Sequence, residues 1–71
     1  MEDQWVYDNN GNLSYHYQVN GIACILWEYD GFYQWQYGNN IYILNDIYAY
    51  VNNTYVGYMT EDGDLHYQQV G

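Results

Sequence analysis

Three side-chain types in this chain could do chemistry: one thiol, two imidazoles and nine carboxylates. A nucleophilic thiol needs a nearby base and an electropositive setting that favours the thiolate. Cys24 instead lies in the apolar run 22–27, and neither His16 nor His66 is spaced as its partner. Cys24 therefore reads as a small buried hydrophobe, and the two histidines as half-exposed strand residues. No catalytic constellation emerges, so the chain is expected not to be an enzyme. A lone cysteine cannot close an intramolecular disulfide, though an inter-chain bridge stays open. It also offers no zinc-ligand spacing. No cofactor or metal is implied.

The carboxylates cluster where the chain should turn. Asp8, Asn10 and Asn12 alternate like the oxygen ligands of a calcium loop. Such a loop has its glycine after the third ligand and a glutamate further on. Here the glycine is Gly11 and no such glutamate follows, so hairpin chemistry is the reading. Glu61, Asp62 and Asp64 form a second acidic turn, read as solvated, with weak calcium binding as the alternative.

The elements that position these groups follow from turn signals about every ten residues. Asn10-Gly11, Asn20-Gly21, Asp30-Gly31, Gly38-Asn39-Asn40, Asn52-Asn53 and Asp62-Gly63 separate runs rich in Tyr, Val, Ile and Trp. Asn-Gly and Asp-Gly suit type I′ hairpins, whose central residues both need positive φ. With 71 residues, no proline and no linker composition, the chain reads as one domain, 1–71. The expected fold is all-β, an antiparallel meander of six to seven short strands closing into a small sandwich or barrel. Ile41, Leu44, Ile47, Tyr48 and Val51 also fit a helical stripe, so an α+β form with a short helix near 41–51 is the alternative.

Two-residue turns at Asn20-Gly21 and Asp30-Gly31 fix a register. They put Tyr17 opposite Cys24, Leu26 opposite both Tyr15 and Trp35, and Glu28 opposite Tyr33. Side chains alternate between faces. One face then collects Leu13, Tyr15, Tyr17, Val19, Cys24, Leu26, Trp35 and Tyr37. The other mixes His16, Gln18, Gln34 and Gln36 with Ile25, Trp27, Tyr29 and Phe32. If Asn10-Gly11 is also a two-residue turn, Trp5 and Tyr7 join this mixed face. In the second half, turns at Asn52-Asn53 and Asp62-Gly63 put Val56, Tyr58 and Leu65 on the core face. Tyr48, Tyr50, Tyr55, Met59 and His66 then face away.

The segment 7–13, Tyr-Asp-Asn-Asn-Gly-Asn-Leu, resembles one unit of the YD repeats of Rhs-type shell proteins. It occurs once, so the likeness implies hairpin chemistry alone. The tyrosine-rich hairpins resemble the choline- or glucan-binding repeats of surface proteins, without their tandem Gly-Trp pattern. That likeness would make the exposed aromatics beside Gln34 and Gln36 a sugar-stacking platform.

Charge carries the functional expectation. The formal net charge is −9, with no lysine or arginine anywhere. Phosphate contacts need cations, so direct nucleic-acid binding is not expected, and anionic membranes are disfavoured for the same reason. A basic protein partner is favoured, steered by complementary charge. In size and charge the chain resembles the small acidic DNA mimics of phages and mobile elements, of the anti-CRISPR and anti-restriction type. The resemblance implies an inhibitor that blocks a basic nucleic-acid-binding protein, such as a bacterial defence nuclease or effector. The candidate partner-binding residues are Asp8, Glu28, Asp30, Asp46, Glu61, Asp62, Asp64, Trp27, Tyr29 and Phe32. The alternative is a self-assembling structural or adhesive β-module, since no lysine or proline guards an edge strand. The N-terminus has no signal-peptide pattern. A cytoplasmic location is expected for the inhibitor and an extracellular one for the module, and a homo-oligomer is possible in either case.

Overall fold

The computed structural model describes residues 3–7 and 9–67. These form eight antiparallel strands in one continuous sheet whose spatial order is the chain order. The strands are β1 (Gln4–Tyr7), β2 (Leu13–Val19), β3 (Ile22–Tyr29), β4 (Phe32–Tyr37), β5 (Asn40–Asn45), β6 (Tyr48–Val51), β7 (Thr54–Met59) and β8 (Leu65–His66). The meander is as expected, with slightly more strands. The helical alternative at 41–51 is overturned, because that segment is β5 and β6. Its β-branched and aromatic side chains suit a pleated, half-buried surface better than a helix.

Turn chemistry sets the register. Asn20 and Gly21, Asp30 and Gly31, and Asn52 and Asn53 all take positive φ, as type I′ hairpins require. The resulting pairs Tyr17–Cys24, Leu26–Trp35 and Glu28–Tyr33 are those read from the sequence. Gly38 turns β4 into β5, which places Tyr42 opposite Trp35 and Leu44 opposite Tyr33.

Three places depart from the simple register. Tyr7 pairs with Leu13, so Asn10-Gly11 is not a two-residue turn. Trp5 and Tyr7 therefore lie on the core face, and the Trp5 ring packs 5.0 Å from Tyr15. The second departure is a bulge between β6 and β7: Tyr50 pairs with Tyr55, but Ala49 pairs with Gly57, leaving Val56 extra. The third is the β7–β8 connection, which pairs Met59 with Leu65 across a loop over 60–64. The bulge exchanges Tyr58 and Met59 between faces relative to the sequence reading. The longer loop shifts the count back, so Leu65 and His66 keep their expected sides. A bulge of this kind inserts one unpaired residue and sharpens the local twist.

The sheet curls with its apolar face inward. Trp35, Tyr42, Leu44 and Ala49 form one buried cluster, with Leu26, Val56, Met59 and Leu65 against it. Tyr17, Val19 and Cys24 form a second, joined to the first through Leu26 and Tyr37. A hydrogen-bonded clasp holds the curl. The Trp35 indole N–H donates to the Tyr17 hydroxyl at 2.7 Å, and that hydroxyl donates to the Gly63 carbonyl at 3.2 Å. β2 and β4 are thereby tied to the loop after β7. The sheet order shows no β1–β8 pairing among the described residues, so β1 and β8 remain edges.

Candidate functional site

Curling inward uses one face of the sheet and leaves the outer face open. Alternation along each strand puts Trp27, Gln34, Ile43, Tyr50 and Tyr55 on a single cross-strand row of that outer face. A neighbouring row runs Tyr48, Tyr58 and His66. Tyr29 and Phe32 pair at the tip of the β3–β4 hairpin, 66% and 56% exposed. Neighbours in a row are ~4.8 Å apart and rows ~7 Å apart. The tyrosines of β6 and β7 also touch through their rings: Tyr48–Tyr55 at 6.1 Å and Tyr50–Tyr55 at 5.9 Å. Tyr58 stacks on His66 at 5.6 Å. Desolvation within this crowd pushes the Tyr55 hydroxyl above the ordinary tyrosine value.

Two shallow grooves score the outer face. Trp27, Tyr29, Gln34 and Ile41 line one. Phe32, Ile43, Asn45, Tyr50 and Asn53 line the other. Ile41, Ile43 and Tyr48 are exposed as well, so the patch continues well beyond the three aromatics named from the sequence.

The candidate residues do not all share one place. Trp27, Tyr29 and Phe32 gather on the outer face. Asp30 and Asp46 sit in the β3–β4 and β5–β6 turns, exposed and at positive φ. Both turns lie at the same end of the meander, bordering the Tyr29–Phe32 pair. Glu28 points to the inner face, opposite Tyr33. Glu61 and Asp62 belong to the 60–64 loop, which the curl carries over β2. There they line a cleft with Asp3, Tyr15 and Tyr17. Asp8 lies outside the described residues.

Asp64 is occupied within the fold. Its carboxylate accepts from the Tyr37 hydroxyl at 2.5 Å, from the Asn20 amide at 2.8 Å and from the Leu65 N–H at 2.9 Å. The bond to Asp64 is the main reason the Tyr37 hydroxyl is pushed up to about 12. Asp62 accepts from the Thr60 hydroxyl, which holds its carboxyl below the usual range. These bonds shape the 60–64 loop and make Asp64 part of the clasp.

Cys24 is buried with its thiol pushed up, chiefly by desolvation, the opposite of what a nucleophile needs. His16 lies by the Ser14 hydroxyl at 3.1 Å, and His66 is 4.0 Å from Asp64. Among the described residues no group of three His, Cys, Asp or Glu side chains is arranged to hold a metal ion.

Sequence reasoning placed Tyr55 of β7 on the outer face but missed Tyr58, and it left out Ile41 and Ile43 of β5. Ile41 and Ile43 were legible from the Gly38-Asn39 turn, which puts them beside Gln36 and Gln34. Tyr58 was hidden by the bulge, and the only sign of that was a glycine inside a strand, Gly57. No family model, curated protein or solved structure matches the chain.

Proposed function

We propose that this protein is a non-catalytic binding module that docks a basic protein on the open outer face of its sheet. The observation that carries the reading is that face: exposed aromatics and isoleucines, with Asp30 and Asp46 at the adjoining turns and no cation in the chain. Exposed apolar patches of this kind mark interaction sites. Tyrosine and tryptophan give large contact area at small entropy cost. The partner must supply the positive charge, and a surface evolved to hold phosphates supplies it best. The protein then acts as an inhibitor that occupies the nucleic-acid site of a nuclease or effector. The two packed clusters of the inner face support the curled sheet beneath this surface. A second copy is the poorer occupant, because it would bring another nine negative charges against the first.

The test is the paired variant Tyr29→Ser and Phe32→Ser against a captured basic partner. Both side chains are exposed, so the fold should persist by circular dichroism while affinity falls at least about tenfold. Unchanged affinity would exclude the outer face. Self-assembly is the second reading, favoured by one observation: β1 and β8 are both edges without lysine or proline. It requires filaments or a concentration-dependent size, and a monodisperse monomer by light scattering would remove it.

A further inference from the structure

The inner face is not covered along its whole length. At one end of β1–β4 it opens into a cleft of about 350 Å³. Trp5, Leu13, Leu26, Glu28 and Tyr33 line it, together with Asn12 and Trp27. The register explains why these meet. Glu28 pairs with Tyr33 across β3–β4, and Ser14 pairs with Trp27, which sets Leu13 beside Glu28 on the other flank. Trp5 pairs with Tyr15 one row away, and Tyr15 with Leu26. Glu28 is thus an exposed carboxylate set among mostly apolar neighbours of this face. The three side chains around it, Trp5, Leu13 and Tyr33, are all exposed. Among the described residues no ion pair to it forms.

The other inner-face acid, Asp64, shows the contrast. It is matched by three donors of the fold. Among the described residues no cation matches Glu28, and the chain contains no lysine or arginine that could. Aromatic rings around a carboxylate suit one ligand chemistry. An organic cation rests against the ring faces by cation–π attraction, and the carboxylate takes its N–H groups. Bulk solvent reaches the cleft from the open end, so a side chain can enter from outside.

We infer that this cleft receives an arginine or lysine side chain of the basic partner, held between Trp5 and Tyr33 and paired with Glu28. The inference rests on the reading of the protein as a module for a basic partner, and names the anchor of that contact. It adds a second contact region beside the exposed Tyr29–Phe32 pair, and Trp27 lines it as well. A partner reaches both by wrapping the β3–β4 hairpin end, where Glu28 is next to Tyr29 in the chain and Tyr29 pairs with Phe32.

The experiment uses the intact protein and defined probes. N-acetyl-arginine amide and N-acetyl-lysine amide are titrated while the Trp5 indole N–H is followed by NMR, with N-acetyl-leucine amide as the neutral control. The expected result is saturable shifts at Trp5 and Tyr33 with the cationic probes only. Glu28→Gln should weaken them roughly threefold to tenfold. Trp5→Leu, followed at Tyr33, should weaken the cationic probes as well, and both positions are exposed enough to leave the fold intact. Equal shifts with the neutral probe, or no change in Glu28→Gln, overturn the inference. The captured partner is then measured against Glu28→Gln. Weakened binding supports the anchor. Unchanged binding overturns it and leaves the outer-face reading standing. Loss of partner binding in Tyr29→Ser/Phe32→Ser but not in Glu28→Gln separates the two in the same way.

Discussion

Replacing Tyr17 with phenylalanine removes one oxygen atom and opens the clasp of the sheet. The Tyr17 hydroxyl accepts from the buried Trp35 indole N–H at 2.7 Å and donates to the Gly63 carbonyl at 3.2 Å. No water replaces it at Trp35, which is fully buried. A buried donor left unpaired costs about 1–3 kcal/mol, and the second bond contributes a further ~1 kcal/mol. The expected loss is therefore about 2–4 kcal/mol. A domain of this length has roughly 4–10 kcal/mol in total, so the variant should be marginal. Urea unfolding followed by tryptophan fluorescence measures the change, with an unaltered slope if only stability is affected. By heat the midpoint should drop roughly 10–30 °C. The double variant Tyr17→Phe/Trp35→Phe isolates the pair, since removing both partners should cost less than the sum of the single changes. A loss under about 0.5 kcal/mol in Tyr17→Phe would refute the claim that this hydroxyl ties β2 and β4 to the loop after β7.

Alkali should unfold the protein in a defined window. The Tyr37 hydroxyl is pushed up to about 12, above its unfolded value of about 10, so its contribution is whole below about pH 10 and is lost as pH rises through about 12. Tyrosinate absorbance and near-ultraviolet circular dichroism should change together there, and Tyr37→Phe should remove part of the dependence. Toward acid, stability should first rise between about pH 7 and pH 5 as carboxylate repulsion is relieved. The Asp62 contribution acts lower, present above about pH 4 and lost as pH falls through its depressed folded value. A monotonic fall from neutral pH would show that carboxylate hydrogen bonds outweigh repulsion. Gly57→Ala should destabilise by about 1–3 kcal/mol, because an added Cβ would meet the His66 carbonyl oxygen at 2.5 Å and force β8 aside; chemical denaturation with hydrogen exchange at β8 checks it. Asp46→Gly should stabilise by about 0.5–1 kcal/mol, since Asp46 sits at φ 59°. It should also weaken partner binding if that carboxylate borders the docking face.

The first half of the fold was legible because two type I′ turns specify the same register independently. Asn20-Gly21 and Asp30-Gly31 each place Leu26 against an aromatic of the core, and a one-residue slip in either would expose Cys24 and Trp35. The second half was legible only in outline. The extra residue at Val56 and the five-residue connection at 60–64 each shift the count by one, and neither leaves a turn signature that sequence alone can time. The two shifts offset each other at Leu65, which is why the expected core face was right there and wrong at Tyr58 and Met59. Trp5 and Tyr7 were placed on the wrong face for a related reason. Asn10-Gly11 looks like a two-residue turn, but Gly11 instead serves a wider loop. The acidic residues were visible at once, yet their roles were not. Asp64 is bound into the clasp, while Glu28, one of the same set, is left open between Trp5 and Tyr33. Composition cannot tell these apart, because the difference is made by which donors the curl brings within reach.

The central claim is that a basic partner docks where it would hold nucleic acid. The most direct measurement is the affinity of the captured partner at about 0.1 M and about 0.5 M salt, each with and without competing duplex DNA. The account predicts at least about a tenfold loss across that salt range and displacement by the DNA. Affinity unchanged by salt, or a ternary complex with DNA still bound, would contradict it.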